Sequence, residues 1–274
     1  MKELKNIANT NELIQYLEKK GCNHKFYYHY TNWENFEKIM EYGTFLLTRG
    51  NARSINDQHE AKMKGNYNVW DRTYIASFSF GSSENIAMWG LYGLPRKDAI
   101  RICIPKAEMI EWLNSIEEIS VWDESQEVDF VNDFEKTLTD IIYIYGKKNS
   151  PGFTLTHSFE NATKNNSGEF LNFDELPEMT GYIKNYAWRY ENEVRLKIKS
   201  NLYLGCEKIC LHLPQSLIDS ITITTGPGFV RKNSILLRNM ENEGRVFQSG
   251  FSQLVNLRDS CTYCDYTFSR SNNG

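Results

Sequence analysis

Apolar and polar positions alternate along the chain in short runs whose period changes from place to place. In residues 10–20 (TNELIQYLEKK) Leu13, Ile14 and Leu17 recur at helical spacing, which predicts a short helix stopped by Gly21. FYYHY (26–30) is aromatic-rich and reads as a strand. Thr31 and Glu34 stand at capping-box spacing, and Trp33, Phe36, Ile39 and Met40 then repeat as on one helical face until Gly43. Residues 44–48 and 73–80 (TYIASFSF) read as strands, the second followed by Ser82 and Ser83 as caps for a helix through ENIAMWGLYG. AIRICIP (99–105) alternates as a strand, and Pro105 opens another helix.

Further along, 127–140 reads as helical and leads into IIYIYG. WRYENEVRLKIK (188–199) is the longest strand candidate, and KICLHLP (208–214), ITITTG (221–226) and a helix at 231–243 follow. The tail after about 268 is polar and reads as frayed. Many short strands with few short helices predict an α+β fold with a largely antiparallel sheet. No repeat at solenoid periods is present. Residues 147–181, rich in Asn, Ser, Gly and Thr, read as a loop insertion inside one domain spanning 1–274, because strand patterns continue on both sides.

Composition narrows the class. Hydrophobic residues at 41% and charged residues at 24% can bury a core and exclude a disordered or fibrous chain. The net charge of -4 shows no basic excess of the kind a nucleic-acid binder advertises. No apolar run reaches the roughly 18 residues of a membrane span and the start, MKELKNIANT, has no signal-peptide core, so the expectation is a cytoplasmic protein without a membrane partner. The six cysteines include one CxxC, Cys261–Cys264, without a matching second pair, so free thiols and no metal are expected; Asp57, His59 and Glu60 read as a polar turn.

The strand 188–199 carries the most chemistry. A period of two puts Arg189, Glu191, Glu193, Arg195, Lys197 and Lys199 on one face and Tyr190, Asn192, Val194, Leu196 and Ile198 on the other. Glu191 and Glu193 then lie roughly 7 Å apart. That face is either a solvated charged stripe or a carboxylate pair in a cleft. His29, where a strand turns into a helix, is either a structural histidine or a cleft residue. Trp89 and Tyr92 are either core or a stacking surface for a flat ring.

The ordered set HYT (29–31), INDQHE (55–60), SFSFGSSENIAMWGLYG, WRYENEVRL (188–196) and TGPG (225–228) resembles a bacterial domain family of uncharacterised function, over roughly residues 26–228. Gln58 replaces a proline common in that family, and 147–181 is enlarged. The family is in turn similar to the ADP-ribosyltransferase superfamily, which implies a mixed, largely antiparallel split β-sheet core with short flanking helices and NAD as co-substrate. On that resemblance Glu193 matches the catalytic glutamate, Glu191 the acid preceding it and His29 the residue that holds a ribose, with Tyr30 and Thr31 beside it. Phe78, Ser79 and Trp89 compete for the middle position, and Tyr92 belongs to the same helix. Arg49 or Arg53 would meet the pyrophosphate.

Such residue types suit cleavage of the nicotinamide–ribose bond. Its oxocarbenium-like transition state gains positive charge, which a fixed carboxylate at Glu193 would stabilise. His29 would fix the pose and Glu191 would orient or deprotonate the acceptor. The resemblance therefore implies an ADP-ribosyltransferase, an intracellular bacterial toxin or phage-defence effector with RNA as acceptor and an antitoxin or chaperone as partner. The alternatives are an NAD glycohydrolase and a non-catalytic module that binds NAD, nucleic acid or a partner protein.

Overall fold

A computed structural model describes residues 10–52, 67–122, 130–146, 153–154 and 179–252. The chain runs α1 (Thr10–Gly21), β1 (Phe26–Asn32), α2 (Trp33–Tyr42), β2 (Thr44–Arg49), the single turn α3 (Tyr67–Trp70), β3 (Thr73–Ser79) and α4 (Ile86–Tyr92). Then come β4 (Ala99–Pro105), α5 (Lys106–Ser115), β5 (Ile119–Trp122), β6 (Phe130–Val131), β7 (Phe134–Asp140), β8 (Ile142–Gly146) and β9 (Phe153–Thr154). After β10 (Ile183–Asn185), a 3₁₀ helix (Tyr186–Glu191) precedes β11 (Glu193–Ser200) and β12 (Lys208–His212). α6 (Gln215–Ser220), β13 (Thr222–Thr225), α7 (Ile235–Asn242) and β14 (Val246–Gln248) complete the described part. This is an α+β protein with a large mixed, mostly antiparallel sheet and short helices; among the described residues no helix is long and apolar enough to cross a membrane.

Local chemistry sets the helix ends, with two changes from expectation. Asn32 rather than Thr31 caps α2, its side chain accepting from Asn35 N at 2.9 Å, while the Thr31 hydroxyl is buried on β1 and accepts from Asn35 Nδ2. Gly43 closes the same helix at φ 58°, a left-handed position that favours glycine. Asn85, not Ser82 or Ser83, caps α4 by accepting from Ala87 N.

Two larger expectations are corrected. In 127–140 the described residues form β6 and β7 instead of a helix, because Phe134–Asp140 pairs residue by residue with β11. The strand expected over 188–199 begins only at Glu193. Asn185 accepts from Ala187 N and starts the 3₁₀ turn, and Asn192 ends it in the left-handed region at φ 45°.

β3 organises the sheet. β11 runs along the whole of one edge. The other edge is shared: β1 pairs at Ser79 and β2 pairs at Tyr74 and Ile75, so the two strands part in between and leave a seam beside Ser77 and Phe78. One sheet face carries Tyr74, Ala76 and Phe78 with Val194, Leu196, Ile198, Ile100, Ile102 and Ile104, closed by Met109, Trp112, Leu217, Leu237 and Met240 from α5, α6 and α7. Each such buried side chain contributes about 1.5–3 kcal/mol. The opposite face is polar. It presents Ser77 and Ser79 on β3, Glu193, Arg195 and Lys197 on β11, Tyr28 and Tyr30 on β1, and Arg101 on β4, all in register.

Candidate functional site

Ser77 lies on the central strand, with β11 on one side and the seam on the other, yet its side chain is exposed. A mostly antiparallel sheet can leave one face to solvent, but here the second face is largely covered as well. α4 covers the polar face on one side, packing Met88 and Trp89 on Tyr30 and Ala99. The segment 179–191 covers it on the other, through Lys184 and Glu191 against β11. Ser77 stands open between them, beside the exposed side chain of Leu46 on β2.

The Ser77 hydroxyl donates to Glu193 Oε1 at 2.5 Å. That oxygen also accepts from Arg195 Nε at 2.9 Å, and Oε2 accepts from Arg195 Nη2 and Lys184 Nζ, each at 3.1 Å. Glu193 is only 1% exposed, and burial alone would raise its pKa. The guanidinium of Arg195 and the ammonium of Lys184 overcome that and hold it at about 2. Glu193 is therefore a permanently ionised carboxylate in a nearly dry setting.

Glu191 reaches the same point from the 3₁₀ helix. Its Oε2 accepts from Lys184 Nζ at 2.6 Å and its Oε1 accepts from the Tyr92 hydroxyl at 2.5 Å. Burial raises its pKa and the Glu193 charge adds to that, against the pull of Lys184. Two neighbouring acids are thus pushed apart, one fixed as carboxylate and one readier to take a proton. The left-handed turn at Asn192 makes this meeting geometry, not the strand alternation expected from sequence. The face Glu193–Arg195–Lys197 alternates as expected, but it is buried rather than solvated.

His29 departs from the expected convergence. By alternation it shares the core face with Tyr27 and Thr31, and its ring lies 5.1 Å from that of Phe45 and 5.7 Å from that of Phe78. Lodged in the seam, its Nδ1 is 3.0 Å from the Ser77 carbonyl, an acceptor that the parting strands leave unpaired. Burial lowers its pKa, so the imidazole is neutral and Nδ1 donates. His29 and Glu193 both grip Ser77, the first by its backbone and the second by its hydroxyl, from different layers.

Of the other expected residues, Ser79 donates to the Glu191 carbonyl at 2.6 Å, and Tyr92 is part of the acid cluster as described. Trp89 is buried, its indole donating to Glu84 at 2.9 Å and packing where a side chain at Gly93 or Gly226 would collide with it. No face of it is free for a flat ring. Tyr30 is buried against Trp89. Arg49 falls in register with Tyr74, on the face opposite Ser77. Arg53, the segment 55–60, Cys261 and Cys264 lie outside the described residues.

A cavity of about 580 Å³ adjoins the cluster at the strand ends, lined in part by Phe80, Asp140, Tyr143, Arg189, Tyr190 and Asn192. The Tyr143 hydroxyl accepts from Glu193 N at 2.7 Å and so joins cavity to cluster. Asp140 is bonded to His24, whose ring stacks on Phe80 at 4.1 Å. The sequence marks Ser77 only as one of the polar serines of SFSFGSS, with no role of its own, and gives no signal for Lys184, Tyr143 or the His24–Asp140 pair. The others are joined to the cluster or to each other by contacts across 50 residues (Tyr143), across 116 residues (His24–Asp140) or through a turn (Lys184). No protein-family model matches the chain, and no curated protein matches it.

Proposed function

We propose that the protein is an NAD-consuming enzyme, an ADP-ribosyltransferase, that works over Ser77 with Glu193 as its catalytic carboxylate. One observation carries this reading: an ionised, nearly dry carboxylate hydrogen-bonded to an open serine in the middle of a central strand. The hydroxyls of Ser77 and Tyr92 and the Glu193 carboxylate are groups of the kind that hold ribose hydroxyls. The shared edge of β3 fits an ADP-ribosyltransferase-like split sheet.

In this mechanism the bond between the ribose C1′ and the pyridinium nitrogen breaks, and its electron pair leaves with nicotinamide. Glu193 stabilises the positive charge that develops on the ribose, an electrostatic effect worth several kcal/mol when water is excluded. Arg195 and Lys184 hold the carboxylate at one angle. The acceptor nucleophile attacks C1′ and Glu191, with its raised pKa, takes the proton. His29 is a positioning residue that fixes the Ser77 backbone. RNA as acceptor, a role as intracellular toxin or phage-defence effector, and restraint by an antitoxin or chaperone follow the sequence resemblance, with hydrolysis of NAD as the variant in which water is the acceptor.

A second reading has its own observation. All four carboxylate oxygens of Glu191 and Glu193 already have partners, so the cluster could serve as a clasp that fastens β10 and the 3₁₀ helix to β11. Nicotinamide release from NAD by wild type and Glu193→Gln, with far-UV circular dichroism on both, separates the two. The enzyme reading expects at least a tenfold fall, about 1.4 kcal/mol of barrier, in a folded variant. No release by wild type, alone or with RNA and cell lysate as acceptors, leaves the clasp.

A further inference from the structure

We propose that Arg101 is an anion anchor on the polar face of the sheet, taking a phosphoryl group of the ligand that reaches Ser77. The identity of that ligand as a dinucleotide rests on the function proposed above, whereas the anion site rests on Arg101 itself. Arg101 is 7% exposed, yet its Nε and Nη1 have no hydrogen-bond partner, and Nη2 has only Thr224 Oγ1 at 3.5 Å. A buried guanidinium with unmet donors carries a desolvation cost that an oxyanion is suited to remove, because the planar fork matches phosphate geometry.

The surroundings aim the group. Its carbon sits 4.4 Å from the centre of the Tyr28 ring and 5.8 Å from that of Tyr30, so two aromatic walls fix the plane of the fork. Arg101 lies at the margin of the α4 cover. Trp89 closes over Ala99 and Tyr30 on one side, while Cys103, the next residue on the same face of β4, is only half-buried. Register places Arg101 opposite Tyr30, two strands and about 10 Å from the serines of β3, on the face that carries Glu193. Neither Arg49, which faces away from Ser77, nor any motif in the sequence marks this position.

Titration calorimetry with inorganic pyrophosphate and with ADP-ribose at fixed ionic strength tests the anchor on wild type, Arg101→Met and Arg101→Lys. The expected result is binding of both probes by wild type, at least tenfold weaker binding by Arg101→Met and an intermediate value for Arg101→Lys. Without ligand, Arg101→Met should melt no lower than wild type, since it removes an uncompensated charge. Wild type that binds neither probe, or equal binding by wild type and Arg101→Met, overturns the proposal. So does a large fall in the unliganded melting temperature of Arg101→Met, which would mean that the tyrosine rings alone satisfy the charge. If Arg101→Met fails to fold, Arg101→Lys decides by the same comparison. Loss of pyrophosphate binding without any nicotinamide release by wild type keeps the anchor and removes the dinucleotide reading. Nicotinamide release with an unchanged KM for NAD in Arg101→Met does the reverse.

Discussion

The polar face of β11 shows how neighbours decide the fate of a buried charge. Glu193 and Lys197 stand four residues apart on one strand, both nearly inaccessible, and both pKa values fall, which fixes the charge of the first and weakens that of the second. Glu193 has two cations against it, and its contribution to stability is present above the ordinary carboxylate pKa and lost as pH falls towards about 2. Lys197 has the Tyr182 ring at 3.5 Å but, among the described residues, no carboxylate in a salt bridge, and burial pushes its pKa down to about 7. Between about 7 and the unfolded value near 10.4 the unfolded chain holds a proton that the folded chain does not, so stability rises with pH through that window. Below it the full penalty applies. Lys197→Met should therefore be more stable than wild type at pH 7 by at least about 1 kcal/mol, an advantage that shrinks as pH approaches 10.4. Urea unfolding at several pH values measures this, and a wild type that is the more stable at pH 7 would refute it. The alternation of charges along 193–199 was readable in the sequence, but their burial was not. It depends on Lys184, Tyr182 and Glu18, which arrive from other segments.

At the level of elements, strongly patterned segments were legible and balanced ones were not. β1, β3 and β4 follow their aromatic and β-branched runs, and α2 follows its apolar spacing. Residues 127–140 failed because Val128, Val131, Phe134 and Leu138 also fit a helical period, and pairing with β11 overrides that weak preference. Residues 188–192 differ because the side-chain cap at Asn185 and the left-handed Asn192 turn five residues of apparent strand into the end of a 3₁₀ helix. That asparagine has consequences. At φ 45° and ψ 52°, Asn192 turns the chain so that Glu191 and Glu193 both meet Lys184. Asn192→Ala should cost about 1 kcal/mol of stability, whereas Asn192→Gly should cost nothing or stabilise slightly. Chemical denaturation compares the three proteins. Equal losses in both variants would mean that the asparagine side chain, not its backbone conformation, matters there.

Across the whole molecule, the site arises from how two covering layers fail to meet. α4 packs over the β1–β4 side of the sheet and the 179–191 segment over β11, and the opening that remains exposes Ser77 while Glu193, one strand away, stays dry. The sequence named Glu193, Glu191 and Tyr92 through its motifs. It could not place the opening, because that depends on the seam between β1 and β2 and on packing between segments more than a hundred residues apart. The same geometry gives a test that separates the hollow from the core. An exposed side chain outside the hydrophobic core contributes little to stability, so Ser77→Trp should change the unfolding free energy by no more than about 1 kcal/mol. Its indole would fill the opening above Glu193, and on the function proposed above nicotinamide release from NAD should fall at least tenfold. Ser77→Ala, which removes the hydrogen bond to Glu193 but keeps the space, should lose less than Ser77→Trp. Wild-type activity in a folded Ser77→Trp would place the reacting bond elsewhere, with the 580 Å³ cavity beside Tyr143 the first alternative.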